Sequence, residues 1–293
     1  MIQPVLRDQA LLDDIQAASP AYGDACIWWL GQSGYAVKTQ RHLLYIDLYL
    51  SEHLTAKYAA TDKPHIRMTE APLRGRQIAD ASYVFASHKH SDHLDPGTLP
   101  DLLAASPHAM IVVPAAILDH ALKLGIPRDR LLPTSGDQRH AVDDSFLFAS
   151  IPAAHPTFEL TDAGDYPFVG YLINVDGVRL YHSGDTLVYH DLARRLRDFQ
   201  PDILFLPING TDERRNALHV PPNMSADEAI ALAADVGSGM VIPHHYDMFT
   251  FNTTDVNEFT ASAAAAGIPY AVLQPGERFT WTRPAGENET PAG

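Results

Sequence analysis

The amino-acid sequence predicts an α/β fold, a four-layer αββα sandwich in which two β-layers are covered on the outside by helices. Three observations carry that expectation. Strand-rich stretches give way to helix-alternating stretches twice, no Pro/Gly/Ser-rich linker divides the chain, and polar residues recur where apolar strands break into loop. Residues 5–17 space their apolar side chains as an amphipathic helix, which stops at Ser19-Pro20. Strands follow at 25–30, 34–39 and 42–47, the last ending on Asp47. Residues 51–80 are polar and irregular, with Arg67, Arg74 and Arg76, and read as a functional insertion or lid rather than a connector. The apolar run 81–86 is a strand, and helices at 96–105 and 115–124 flank the strand 110–113. Further strands span 145–151, 168–174, 178–182 and 203–207, interspersed with helices at 190–198, 225–235 and 255–265. A short β-branched strand starts at Met240. Residues 1–283 are expected to form a single domain, and the Pro-, Gly-, Glu- and Asn-containing tail 284–293 to be disordered.

Composition narrows the function classes. Of 293 residues, 46% are hydrophobic, ample for a core, yet no apolar run approaches the length of a membrane span. The first residues lack the basic and apolar regions of a signal peptide, and Cys26 is the only cysteine, so a cytoplasmic location is expected. Cys26 lies in an apolar strand and reads as a buried, inert thiol. A net charge of −15 argues against nucleic acid, whose binders carry basic patches, and leaves a small molecule as the expected partner. A homo-oligomer is compatible with this composition.

The most informative stretch is Ser87-His-Lys-His-Ser-Asp-His-Leu-Asp95. If the segment is extended, His88 and His90 fall on one side and can hold one divalent ion, while Asp92 and His93 are free to hold a second. Histidines and a carboxylate so close together suit nitrogen and oxygen coordination of a transition metal. Three distant residues could complete the shells: His155, Asp185 and His245, each where a predicted strand breaks into loop. His244 is the rival of His245, and the expectation favours His245 because neighbours on a strand face opposite ways. Asp47 and His182 read as partners that steady the ligands. Ser33 and Ser183 shape turns and lack a full nucleophile elbow.

The combination of His-x-His-x-Asp-His, a later lone His, Gly-Asp-Thr and a final strand-tip His resembles the metallo-β-lactamase fold of binuclear metallohydrolases. Segments such as Ile27-Trp-Trp-Leu-Gly-Gln-Ser-Gly34, Asn223-Met-Ser-Ala-Asp-Glu228 and Val241-Ile-Pro-His-His-Tyr-Asp247 extend the likeness to the L-ascorbate-6-phosphate lactonase branch. The resemblance implies His88, His90 and His155 on one metal, Asp92, His93 and His245 on the other, and Asp185 bridging them. It also places the final ligand two residues after the proline. One departure is that the lactonase motif keeps no histidine where His155 stands, although most of the wider superfamily does.

The implied chemistry is hydrolysis. Two divalent ions, Zn2+ or Mn2+, would acidify a bridging water to a hydroxide nucleophile, with Asp92 as the catalytic group that orients it. The leading expectation is a binuclear metal-dependent hydrolase of a small anionic substrate, a sugar-acid phosphate lactone first. A phosphodiesterase of the same fold is the alternative, and a non-catalytic metal-binding scaffold the third reading. Asn209, Arg215 and His244 are candidate substrate contacts, since a planar guanidinium suits phosphate or carboxylate. Solvated loop charges are the competing reading for Arg214 and Arg215.

Overall fold

Successive side chains of the first strand, Ala25–Gly31 (β1), enter two different cores, and this alternation explains the layering. Ala25, Ile27 and Trp29 join an apolar cluster between two sheets, whereas Cys26, Trp28 and Leu30 join one beneath an outer layer of helices. The computed structural model describes residues 1–237 and 239–284. The disordered tail expected at 284–293 falls, beyond its first residue, outside the described residues.

The first sheet continues from β1 through Gly34–Lys38 (β2), Leu43–Ile46 (β3), Tyr83–Phe85 (β4), Met110–Pro114 (β5) and Leu131–Thr134 (β6). The second consists of Arg139–Ala141 (β7), Phe146–Pro152 (β8), Val169–Val175 (β9), Val178–His182 (β10), Ile203–Pro207 (β11) and Met240–His244 (β12). Arg278–Trp281 (β13) returns to pair with β1 at the edge of the first sheet. Each sheet is antiparallel on one side and parallel on the other, β3 to β6 and β10 to β12 being the parallel parts. Parallel neighbours need crossover connections, and helices supply several of them.

The helix Asp8–Ala17 lays Leu11 and Ile15, and the helix Leu99–Ala105 lays Leu99 and Leu102, on the outer face of the first sheet. Leu192–Phe199, Ala226–Val236 and Val256–Ala266 cover the second. The motif segment 223–228 owes part of its pattern to helix geometry. Ser225 and Glu228 form a reciprocal capping box on Ala226–Val236, and Gly237 closes that helix in the left-handed conformation. The architecture is the expected αββα sandwich.

At the end of the sandwich away from β3, β4 and β10 tips, the turn joining β9 to β10 is tied to the turn joining β2 to β3. Asp176, fully buried, accepts hydrogen bonds from Thr39 Oγ1 at 2.8 Å, the Arg41 backbone at 2.7 Å and Arg41 Nε at 3.1 Å.

Departures from expectation are local. The first helix begins at Asp8 rather than residue 5, and the stretch 115–124 divides into a 3₁₀ turn and the helix Leu118–Lys123. The strands β6 and β7 were not anticipated: β6 contains Pro133, and β7 is three residues long with two exposed, so neither shows a period. A helix also runs through His53–Tyr58 in the stretch expected to be irregular.

Candidate metal centre

β4 stops at Phe85, and residues 87–93 follow as bends and a turn rather than the extended segment the sequence suggested. The amides of His93 and Leu94 fold back onto the His90 carbonyl at 3.0 and 2.8 Å. His88 and His90 still meet, with His88 Nε2 2.9 Å from His90 Nδ1, through the bend and not through strand alternation.

The structure gathers all seven expected metal-facing residues. His88, His90, His155 and Asp185 form one cluster, with ligand atoms within 4.8 Å of one another, and Asp92, His93 and His245 form a second by the same measure. Asp185 stands between them. Its Oδ2 lies 3.6 Å from His155 Nε2 and 3.4 Å from His245 Nε2, and its Oδ1 lies 3.3 Å from His93 Nε2. The loops after β4, β8, β10 and β12 supply these groups, so both clusters draw on both sheets. Gly184 lets the β10 loop come close: at φ +57, a Cβ there would fall 2.6 Å from the Ser87 Cβ.

Neighbouring groups aim the imidazoles. Asp47, at the tip of β3 and fully buried, accepts from the Ser87 amide at 2.7 Å, from Ser87 Oγ at 2.6 Å and from His93 Nδ1 at 2.7 Å. Because the Ser87 proton goes to Asp47, Ser87 Oγ accepts from His88 Nδ1 at 3.0 Å. His155 Nδ1 donates to the Pro222 carbonyl at 3.2 Å. In each case Nδ1 carries a proton and Nε2 faces the cluster, with its lone pair free at His88 and His155.

Electrostatics separate these imidazoles into two groups. Burial pushes the His88 and His90 pKa values down, and His155 down to about 4, so these imidazoles are neutral ligands in waiting. Burial also works against charge on His93, but the carboxylates of Asp185, Asp47 and Asp92 outweigh it and hold its pKa well above the usual value. Asp185 is opposed by burial yet held well below the usual carboxylate range by His245 and His93.

The donor set fits divalent metal. His93 Nε2 and Asp185 Oδ1 are buried and make no hydrogen bond although they face each other, which a shared cation would satisfy. The donors are imidazole nitrogen and carboxylate oxygen without thiolate.

The final histidine pair separates for a reason other than strand alternation. β12 ends at His244, and His245 takes a left-handed conformation, φ +66, that swings its ring to the metal-facing side. His244 points the other way. Its Nδ1 lies 2.9 Å from Ser33 Oγ, its ring stacks on His182 at 5.0 Å, and it does not line the cleft above the clusters. His182 donates to the Ser33 carbonyl at 2.9 Å and stands 3.8 Å from Asp47, beneath the carboxylate that orients His93.

The expected substrate contacts are placed elsewhere. Arg215 is buried with its Nε on Asp212 at 2.7 Å and its Nη1 on the Asn209 carbonyl at 2.8 Å and Asn252 at 3.0 Å. The Asn209 side chain bonds Asn252 and Asn223. Neither residue lines the cleft, so Asn209, Arg215 and His244 brace the site rather than face a substrate. The cleft, of about 330 Å3, is walled by Lys57, Lys63 and Lys89, and its only carboxylates among the described residues are Asp92 and Asp185. Lys57 and Lys63 belong to the stretch 51–80, which forms one wall together with Leu54 and Tyr58. Sequence reasoning missed these lysines because each reads as an isolated solvated charge. Lys89, between two metal-facing histidines, was the one whose position carried a signal.

Comparison with known proteins agrees with this geometry. The model of the beta-lactamase superfamily domain matches residues 59–246, more than half of the chain. Among curated relatives, a probable L-ascorbate-6-phosphate lactonase of Salmonella heidelberg is 24% identical over 92% of this chain and 85% of its own length. A metal-dependent hydrolase of Methanoculleus marisnigri is 29% identical over 69% of this chain and 83% of its own length. Among solved structures, a metallo hydrolase of Ignicoccus hospitalis superposes with a TM-score of 0.65 at 21% identity, covering 89% of this chain and all of the other. An isothiocyanate hydrolase from Delia radicum gut bacteria gives 0.69 at 17% identity, covering 87% and 98%. These likenesses and the clustered ligands lead to one conclusion: the chain belongs to the beta-lactamase superfamily and is a metal-dependent hydrolase of the metallo-β-lactamase fold.

Proposed function

We propose that this protein is a binuclear metal-dependent hydrolase of a small anionic molecule, with a sugar-acid phosphate lactone as the first substrate to try. The observation that carries the reading is the pairing of two ligand clusters, joined through Asp185, with a cleft walled by three lysines on a chain of net charge −15. Those lysines oppose the overall charge at the one place where an anionic substrate would dock. The relative named as a probable L-ascorbate-6-phosphate lactonase supports a phosphorylated lactone.

In this reading His88, His90 and His155 hold one ion, Asp92, His93 and His245 the other, and Asp185 both, with zinc or manganese suited to the donors. Bound ions would acidify a water and polarise the substrate carbonyl. Asp92, which lines the cleft, orients the nucleophile, while Lys57, Lys63 and Lys89 hold the anionic group away from the scissile bond. Since both clusters draw on both sheets, residues 1–283 act as one unit.

Elemental analysis and a turnover panel test the proposal together. About two divalent ions per chain and preferential hydrolysis of phosphorylated over neutral lactones are expected. Replacing Lys57 and Lys63 together by Ala should raise KM for the phosphorylated substrate by about tenfold or more, the scale of lost charge-assisted hydrogen bonds. Preferred turnover of phosphodiesters would move the substrate class to the alternative. A single ion that added zinc or manganese does not raise, or two ions with no turnover of any member, would reject the reading.

A further inference from the structure

We propose that Gln32 is a positioning residue of the second cluster, fixing through its carboxamide which Asp92 oxygen meets the ion. The inference rests on the metal-centre reading above. Gln32 sits in the turn between β1 and β2, fully buried, in a left-handed conformation at φ +52. Its carbonyl accepts from the His245 amide at 3.1 Å and from Trp29 Nε1 at 3.0 Å, which clamps this turn to the loop after β12. Its side chain then reaches into the cluster. Nε2 donates to Asp92 Oδ2 at 2.8 Å and lies 3.1 Å from His245 Nε2, so one residue holds two of the three second-cluster groups by backbone and side chain.

Two further observations give the contact a purpose. Among the described residues the Gln32 carboxamide is the only hydrogen-bond donor to Asp92, whereas Asp47 receives three. The oxygen it holds, Oδ2, is also the one directed at the cluster, 3.6 Å from His93 Nε2 and 3.9 Å from His245 Nε2. A carboxylate free to rotate presents either oxygen, or both, to a cation. Donation from Gln32 assigns Oδ2 to the ion and leaves Oδ1 without a protein partner, on a side chain that is 16% exposed in the cleft. That free oxygen is the one able to accept a proton-bearing nucleophile.

The test uses Gln32→Leu, which removes donor and acceptor, and Gln32→Met, which keeps the length of the side chain while removing the N–H donor. Metal is titrated into the apo forms, and kcat and KM are measured at saturating metal. Both variants should bind the first ion as the wild type does and the second at least about tenfold more weakly, the scale seen when partners of metal ligands are removed. At saturating metal, kcat should fall about tenfold or more with KM nearly constant, and Gln32→Leu should add nothing further on an Asp92→Asn background. Wild-type second-ion affinity in Gln32→Met would overturn the donor role, because side-chain bulk at that position would then suffice. Full additivity with Asp92→Asn would overturn action through Asp92. If Gln32→Leu does not fold, Gln32→Met decides alone. A wild type that binds fewer than two ions rejects the metal-centre reading instead, so the two failures are distinguishable.

Discussion

At the scale of single residues, adjacent histidines divide between two tasks because the backbone changes hand between them. Reading the strand by alternation selects His245, and the structure turns the same residue inward through a left-handed peptide instead. His244→Ala should therefore leave metal content nearly unchanged, while His245→Ala should lower metal content and activity together, by at least the ~10–100-fold of a lost ligand partner. Metal titration of both variants decides the matter, and loss of the second ion from the His244 variant alone would reverse the assignment. Metal-facing residues were legible because few side chains ligate metal and they crowd into a short motif. The lysines were not, since a lone surface lysine is the commonest solvated charge and its neighbours are fixed only by the fold. Arg215 misled for the converse reason: its chemistry suits an anion, but Asp212 and two asparagines already occupy it.

At the scale of elements, the strands that shape the centre were readable from their buried, β-branched runs, and the short edge strands β6 and β7 were not. Turn geometry was the least legible level, because left-handed residues such as Asp47, Asp176 and His245 carry no apolar period. The Asp176 turn lends itself to a stability measurement. Its carboxylate is opposed by burial but held below the usual range by the Arg41 amide, Thr39 and the Arg41 guanidinium. A depressed pKa contributes stability that is full above the unfolded value of about 4 and fades as pH falls toward the folded value. Asp176→Asn should cost about 1.5–3 kcal/mol at neutral pH, as for hydrogen bonds to a charged group, and flatten the loss of stability below pH about 4. Denaturant melts across that range would show it. Metal content should not change, because the turn lies at the far end of the sandwich. An equal loss of stability at every pH would point to packing rather than the charge.

At the scale of the whole molecule, each cluster is assembled from loops of both sheets, so an ion bound there cross-links the two halves. Binding to the folded state alone adds about 2.7 kcal/mol at a hundredfold excess over Kd. Chelation should then lower Tm by several degrees, and restoring zinc or manganese should reverse it; an unchanged Tm with demonstrable metal loss would argue against the cross-link.

The lysine wall has a consequence of reach. At physiological ionic strength charges farther than about 8 Å are largely screened, so an anion at the cleft mouth responds to Lys57, Lys63 and Lys89, and one elsewhere to the surface of a chain of net charge −15. Under the proposed function, capture would be a short-range event that depends on the size of the visitor. A small ester can place its whole charge inside that radius, whereas a long polyanion must lay most of its length against the acidic surface beyond it. Under the proposed function, the three side chains that would recruit the first would also act as a length filter against the second.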